Sequence, residues 1–399
     1  MTQFMNIGEP ARRSPPAVPA FALWQLGFRP FYLLASSFAA LSIVLWALQL
    51  SGVLGRPYLA GPMWHAHEML FGFALAVVVG FLLTAGRNWS GQPTPSGLPL
   101  ALLAALWLAG RVLVLTPYGW AASIVDTAFP LAAAAALGKA FLAGRSRRNY
   151  FFVGLLVALA AASLAVHLTQ LDVLALPRRF GIQVGLDMLL FIMVVMAGRV
   201  VPMFTNNGVP GANARRDARI ERLALGGVLA VLAADLLQLH GAPLAALLGI
   251  VCLAHLTRLA LWQPWKTLRT PLVWVLHAAY AWIVLHLALR GLAQLGWIAP
   301  TLATHALTVG AIGGLTIGMM TRTARGHTGR PLRADAFEIA CYGLVLGAAL
   351  VRVFVPLVAP ELLMHAVFCS ALLWSAGFGL YAVRYWPILT RPRLDGRPG

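Results

Sequence analysis

Residues 63–84, MWHAHEMLFGFALAVVVGFLLT, decide the fold. Past Met69 the stretch is apolar apart from one terminal threonine. Its length matches the ~20 residues that a helix needs to cross ~30 Å of hydrocarbon. Eleven further stretches of this kind lie near 31–50, 98–115, 119–143, 149–171, 181–203, 221–240, 243–262, 271–296, 300–321, 333–358 and 361–386. Of the 399 residues 60% are hydrophobic and 11% charged, where a soluble domain carries ~25% charged residues. The short alternating segments of a transmembrane barrel are absent, so helices are left as the way to satisfy every backbone group in lipid. The expected protein is all-α and polytopic, with about twelve transmembrane helices.

One membrane domain is expected over 28–386: six helices across 31–203, a loop at 204–220 with Asn206, Asn207, Gly208, Pro210 and Gly211, and six helices across 221–386. An N-terminal segment, 1–27, precedes it and a tail, 387–399, follows. Residues 1–27 are polar and Pro-rich and do not read as a cleaved signal, so the first helix is expected to stay. The halves show no convincing sequence repeat.

The formal net charge of +18 could suggest nucleic acid, but its distribution argues otherwise. With the N-terminus placed in the cytoplasm, most of the 30 Lys and Arg fall in the tails and the cytoplasmic loops, among them Arg12, Arg13, Arg145, Arg147, Arg148 and Arg397. The opposite side holds Arg56, Arg178 and Arg179. This is the positive-inside pattern of a bacterial inner-membrane protein with both termini cytoplasmic, its partners membrane lipid rather than nucleic acid. Cys252, Cys341 and Cys369 all lie in apolar runs, and no CxxC or CxxCH occurs. That excludes a c-type heme attachment and a thiolate zinc site within the chain.

Nine of the ten histidines lie in or beside the apolar runs, where an ionisable group is costly and marks function by default. The assumed orientation places His65, His67, His167, His240, His305 and His365 in the outer third, with the acids Glu68, Asp126, Asp187 and Asp235. The sharpest signal is WHAHEM at 64–69. Side chains two apart on a helix diverge by ~200°, so His65 and His67 cannot easily chelate one ion but can serve two centres. His65, Glu68 and Met69 share one face of a regular helix, and Met63 and His67 the other. Imidazole suits heme iron and copper, and thioether suits copper(I). The competing reading is an interfacial cap whose Trp, His and Glu face water.

His305 opens a helix with Gly310, Gly314 and Gly318 at spacing four. This small-residue ridge suits close helix packing or the approach of a flat porphyrin. His277 precedes Tyr280 by one turn, and Tyr280 could hydrogen-bond a site. His167, His240 and His365 are single residues near helix ends, as well explained by interfacial roles as by ligation. The loop RTARGHTGR, 322–330, holds His327 and Arg330. It could cradle an anionic group or simply be a tight basic loop. Were a heme at the outer level, Arg178, Arg179, Arg290 and Arg352 are the cations available to its propionates.

These motifs resemble the NnrS family: Phe28-Arg29-Pro30-Phe31, WHAHEM at 64–69, GRVVPMFT at 198–205, LHAAY at 276–280 and HALTVGAIGGLTIGMMTRTARGHTGR at 305–330. The resemblance spans most of the chain. It implies twelve helices, heme and copper, and a place in nitric oxide response, nitrosative stress and denitrification. It raises His65, His67, His277, His305 and His327 as metal ligands. The heme this resemblance implies is heme b. Three functions remain open. One is nitric oxide reduction, with electrons from quinol or a separate donor, Glu68 and Tyr280 being the catalytic candidates. The second is protective binding of nitric oxide or metal without turnover. The third is transport of heme, copper or a small solute past His255, His277 and His327. Heme–copper oxidases and nitric oxide reductases also use a twelve-helix subunit with an HxH between two hemes, an analogy of architecture alone.

Overall fold

The computed structural model describes residues 21–54 and 57–396; Arg12, Arg13, Arg56 and Arg397 lie outside them. Among the described residues there are twelve helices and no strand. They are α1 (Phe28–Leu50), α2 (Gly61–Ser90), α3 (Leu98–Leu113), α4 (Gly119–Ala143), α5 (Phe151–Gln170), α6 (Phe180–Gly208), α7 (Ala218–Leu236), α8 (Ala242–Leu261), α9 (Pro271–Gln294), α10 (Pro300–His327), α11 (Ala336–Val358) and α12 (Leu363–Thr390).

Ten of these helices are long and apolar enough to cross a membrane. The exceptions are α3, which has only 16 residues, and α7, which carries Arg219, Glu221, Arg222 and Asp235 within 19. Large apolar side chains cover the outside of the bundle, such as Leu102 and Leu108 on α3, Leu253 and Leu256 on α8, and Leu372 and Val383 on α12. A patch of that extent is what lipid covers. The chain is a multi-pass membrane protein.

Short connections make successive helices antiparallel neighbours. α12 packs on α1 and closes the circle, while α2, α6, α9 and α10 are the most enclosed. An even number of helices returns the chain to its starting end. There Ala22 N–H donates to Thr390 O, 2.7 Å away. That end is the terminal end below, and the other the distal end.

Local sequence explains several boundaries. Proline within the first two positions opens α3, α8 and α9, where its missing N–H costs nothing. Asp335 accepts from the Phe337 and Glu338 amides, and Glu338 accepts from the Asp335 amide, a closed capping box on α11. α6 runs on through Pro202 to Gly208, so the loop expected over 204–220 shrinks to 209–217. Asn206 on the last turn holds that loop by bonding both the amide and the carbonyl of Ala214.

Two departures from regular helix matter for function. α2 turns π-helical over Glu68–Ala74 and α10 over Ala306–Gly313. Each segment begins directly after a candidate ligand, His67 or His305. π-turns are rare and recur at functional sites. The glycine ridge packs on α9: a Cβ at Gly310 would strike the Trp282 ring, and one at Gly314 would meet Ala279. Close helix packing thus accounts for the ridge, and the flat ring over Gly310 is an indole.

Candidate metal centre

His65 and His67 do face different neighbourhoods. His67 is wholly buried, its Nδ1 2.9 Å from Glu68 Oε1 and its Nε2 3.2 Å from Asp126 Oδ2. His167, one turn after Ser163 on α5, brings its Nε2 to 3.2 Å from the same Asp126 Oδ2. Its Nδ1 is hydrogen-bonded to the Tyr58 hydroxyl. Ser163 Oγ donates to Asp126 Oδ2 at 2.7 Å. Ligand atoms of His67, Asp126 and His167 all lie within 4.8 Å of one another, and all three residues are buried.

This donor set fits an ion of the copper or zinc class. Bonds of ~2.0–2.1 Å to nitrogen leave neighbouring donors about 3 Å apart, the spacing of both His–Asp contacts at 3.2 Å, and the two imidazoles, within 4.8 Å, would draw together on an ion. Each imidazole also has an outer partner on Nδ1, Glu68 or Tyr58, which fixes the ring and turns Nε2 inward, the support that ligating histidines almost always have. Arg111 donates to Glu68 Oε1 at 2.8 Å and is ion-paired with Asp126. One guanidinium against two carboxylates leaves a net negative charge in a buried place. That favours a cation, since unpaired buried charge is expensive. Gly72 in the π segment admits Arg111, because a Cβ there would collide with the guanidinium.

The neighbours of WHAHEM differ from those of the expected face. Glu68 joins His67 and not His65, so the face expected to gather His65, Glu68 and Met69 is divided between two neighbourhoods. Trp64, His67 and Glu68 are buried, which rules out the water-facing cap. Met69 is half-buried against the apolar core.

On the other side of α2, His65 stacks on Trp46 of α1, centroids 4.4 Å apart. Arg352 of α11 lies within electrostatic reach of both His65 and His305, which also sense one another. His65 Nδ1 and an Arg352 guanidinium nitrogen are buried without a partner among the described residues. These residues can offer an imidazole nitrogen to a metal and a cation for a carboxylate. His305 already donates its Nδ1–H to Thr301 O on its own helix, at 2.7 Å.

Other candidates are placed elsewhere. Arg290 is committed to Asp235 at 2.5 Å and Asp187 at 3.3 Å, so it is a paired cation and not one waiting for a propionate. Arg178 and Arg179 are exposed before α6. Tyr280 bonds His255 Nδ1 at 2.6 Å and Arg258 at 3.0 Å, in the half of α9 toward the terminal end. It serves a separate network in which Arg258 also grips Glu221 through two nitrogens at 2.6 and 2.8 Å. His277 meets Thr205 Oγ1 at 3.0 Å and is not joined to Tyr280. His327 sits at the terminal end with its ring against Phe28. His240 and His365 are exposed.

Sequence reading left His167 open between interface and ligand and did not single out Tyr58, Arg111 or Ser163. The available signal was Ser163 and His167 four apart in an apolar run, on one helix face.

No curated protein matches the chain. The family model described as NnrS protein matches residues 22–393, nearly the whole length. The membrane bundle, the buried His–Asp–His group and the motif-bearing helices α2 and α10 are therefore those of a chain that belongs to the NnrS family.

Proposed function

We propose that this protein is a heme- and copper-binding protein of the bacterial inner membrane that engages nitric oxide near its outer face. In this reading all twelve helices span, and both termini are cytoplasmic, as the distribution of Arg supports. The distal end is then the periplasmic one. The observation that carries the reading is the convergence of His67 and His167 Nε2 on one Asp126 oxygen, each ring braced from behind.

Copper is assigned to His67, Asp126 and His167, and heme b to the His65 side, where His305 and Arg352 also stand. Bound metal would supply a site for nitric oxide and a route for electrons. The chain's own contribution is to orient the imidazoles, keep the centre buried and balance its charge through Arg111. Reduction would join two molecules of nitric oxide, two electrons and two protons into nitrous oxide and water, with the electrons from quinol or a separate donor.

One observation favours the non-catalytic alternative, capture or protection without turnover. Glu68 and Asp126, the acids nearest the group, are both tied into ion pairs with Arg111, so neither carboxyl stands open to a proton path. Transport of heme, copper or a small solute ranks behind both.

The test is a visible spectrum and metal analysis of the purified protein, followed by reduction and exposure to nitric oxide. Iron and copper with nitrous oxide formed support the enzyme. A nitric oxide adduct with no product supports capture. A colourless preparation free of iron and copper ends both.

A further inference from the structure

The terminal end gathers cations far from the His67 group. Arg29, in the first turn of α1, is wholly buried. One of its nitrogens donates to Leu389 O at 2.9 Å and Arg391 O at 2.8 Å. Its Nε and other terminal nitrogen have no partner among the described residues. The same is true of one buried guanidinium nitrogen of Arg330, in the turn after α10. Arg330 and Arg393 both repel the Arg29 charge, and Arg29 and Arg393 both act on His327. Nearby Arg325 and Arg384 are matched by Glu338 and Asp335. Arg393 is matched by Asp395, through contacts of 2.6 and 2.8 Å.

Among the described residues, the guanidiniums of Arg29, Arg330 and Arg393, with Arg391 beside Arg330, thus outnumber the carboxylate of Asp395 at this spot. Buried donors are nearly always paired, and a buried charge without a counterion is strongly destabilising. Arg29 presents two free donors in fork geometry and Arg330 presents one, a set that matches the oxygens of a phosphate. The backbone is shaped to hold them there. Gly329 takes φ +71°, a Cβ on it would press on Asp395, and Arg393 donates to His327 O at 2.9 Å.

We infer that Arg29 and Arg330 form a binding site for a phosphate group, enclosed by the start of α1, the turn after α10 and the segment after α12. Phosphate here would neutralise the excess charge and clamp the three segments together. It comes from free inorganic phosphate or from the headgroup of an anionic phospholipid. The site stands whether or not the metal reading holds, since it shares no residue with it.

Full-length protein, purified in phosphate-free detergent buffer, is titrated calorimetrically with inorganic phosphate and, separately, with short-chain phosphatidylglycerol. Melting is followed in parallel against chloride at equal ionic strength. The expected result is saturable binding of one of the two, with a rise in melting temperature that chloride does not reproduce. Phosphate as the better ligand identifies a free anion; phosphatidylglycerol as the better ligand identifies a headgroup.

Arg330→Gln is expected to weaken binding at least about tenfold, equivalent to ~1.4 kcal/mol. Arg29→Lys keeps the charge but loses the fork and should weaken it too. The exposed Arg222→Gln on α7 should leave it unchanged. Should Arg29→Lys fail to fold, Arg330→Gln decides alone. Absence of saturable binding to both probes overturns the assignment, as does equal binding by Arg330→Gln.

Discussion

His65 and His67 stand two residues apart on α2 and end in separate surroundings: the first stacks on Trp46 with ring centroids 4.4 Å apart, the second is joined to Glu68 at 2.9 Å. The separation follows from the ~200° between such positions on a helix. Two centres are therefore expected to be lost independently. His67→Ala should remove the ion shared with Asp126 and His167 and leave whatever His65 binds, and His65→Ala should do the reverse. Metal content and electron paramagnetic resonance of the two variants read this directly. Loss of one and the same signal in both would merge the centres and refute the assignment.

The braces behind the imidazoles should matter nearly as much as the ligands. Tyr58→Phe removes the hydroxyl hydrogen-bonded to His167 Nδ1, and Glu68→Gln weakens the acceptor for His67 Nδ1. Outer partners of this kind are worth about 10–100-fold in metal affinity. Both variants should still bind the ion, with affinity lowered within that range in a competition titration against a chelator. Unchanged affinity in both would mean that neither ring is a ligand.

The bundle was legible because it rests on composition: stretches as apolar as 63–84 have few alternatives. The divergence of His65 and His67 was legible for a similar reason, being set by helix geometry alone. The rest of the centre was hidden in tertiary contacts. Nothing local to Tyr58 or Arg111 says that they meet His167 and Glu68 from other segments. The π turn after His67 leaves little trace in an evenly apolar sequence, and the siding of Glu68 with His67 is set by its contacts with Arg111 from another helix. Arg290 and Tyr280 show how tertiary partners hide in the other direction. Both are reactive types at plausible positions, but Asp187, Asp235, Arg258 and His255 already occupy them.

Gly310 lies against the face of Trp282 within the π segment of α10. Gly310→Ala should cost about 1–3 kcal/mol, the usual range for overpacking a filled interior. Trp282→Leu alone would leave a gap there. The two changes together should be less damaging than their sum, because the smaller side chain receives the added methyl group. Thermal melting in detergent checks this, and strict additivity would show that the pair do not press on each other.

Arg258 and Glu221 form a buried two-point ion pair between α8 and α7. Arg258→Met should destabilise the fold by about 3–5 kcal/mol, because it strands a carboxylate and also frees Val194 O and the Tyr280 hydroxyl. Arg216, 3.3 Å from Glu221 but largely exposed, can offset only a small part. Adding Glu221→Leu to Arg258→Met should restore stability by removing the stranded charge. A double variant no more stable than Arg258→Met would show that the lost bonds to Val194 and Tyr280, and not the charge, set the cost.

The capping box of α11 gives stability a specific dependence on pH. Asp335 has its carboxyl held below its ordinary value of 3.8, first by Glu338, then by Arg384 and the amides of Glu338 and Phe337. A carboxyl depressed in the folded state contributes stability that is fully present above its unfolded pKa and fades as pH falls toward the folded one. Melting temperature should therefore lose the Asp335 contribution only below about pH 4, where the unfolded chain takes up the proton first. Asp335→Ala should cost about 1 kcal/mol at neutral pH. It should also flatten the acid limb of the stability curve relative to wild type, and Asp335→Asn, which keeps an acceptor without a charge, should flatten it with a smaller loss at neutral pH. An acid limb equally steep in all three proteins would place the pH dependence elsewhere.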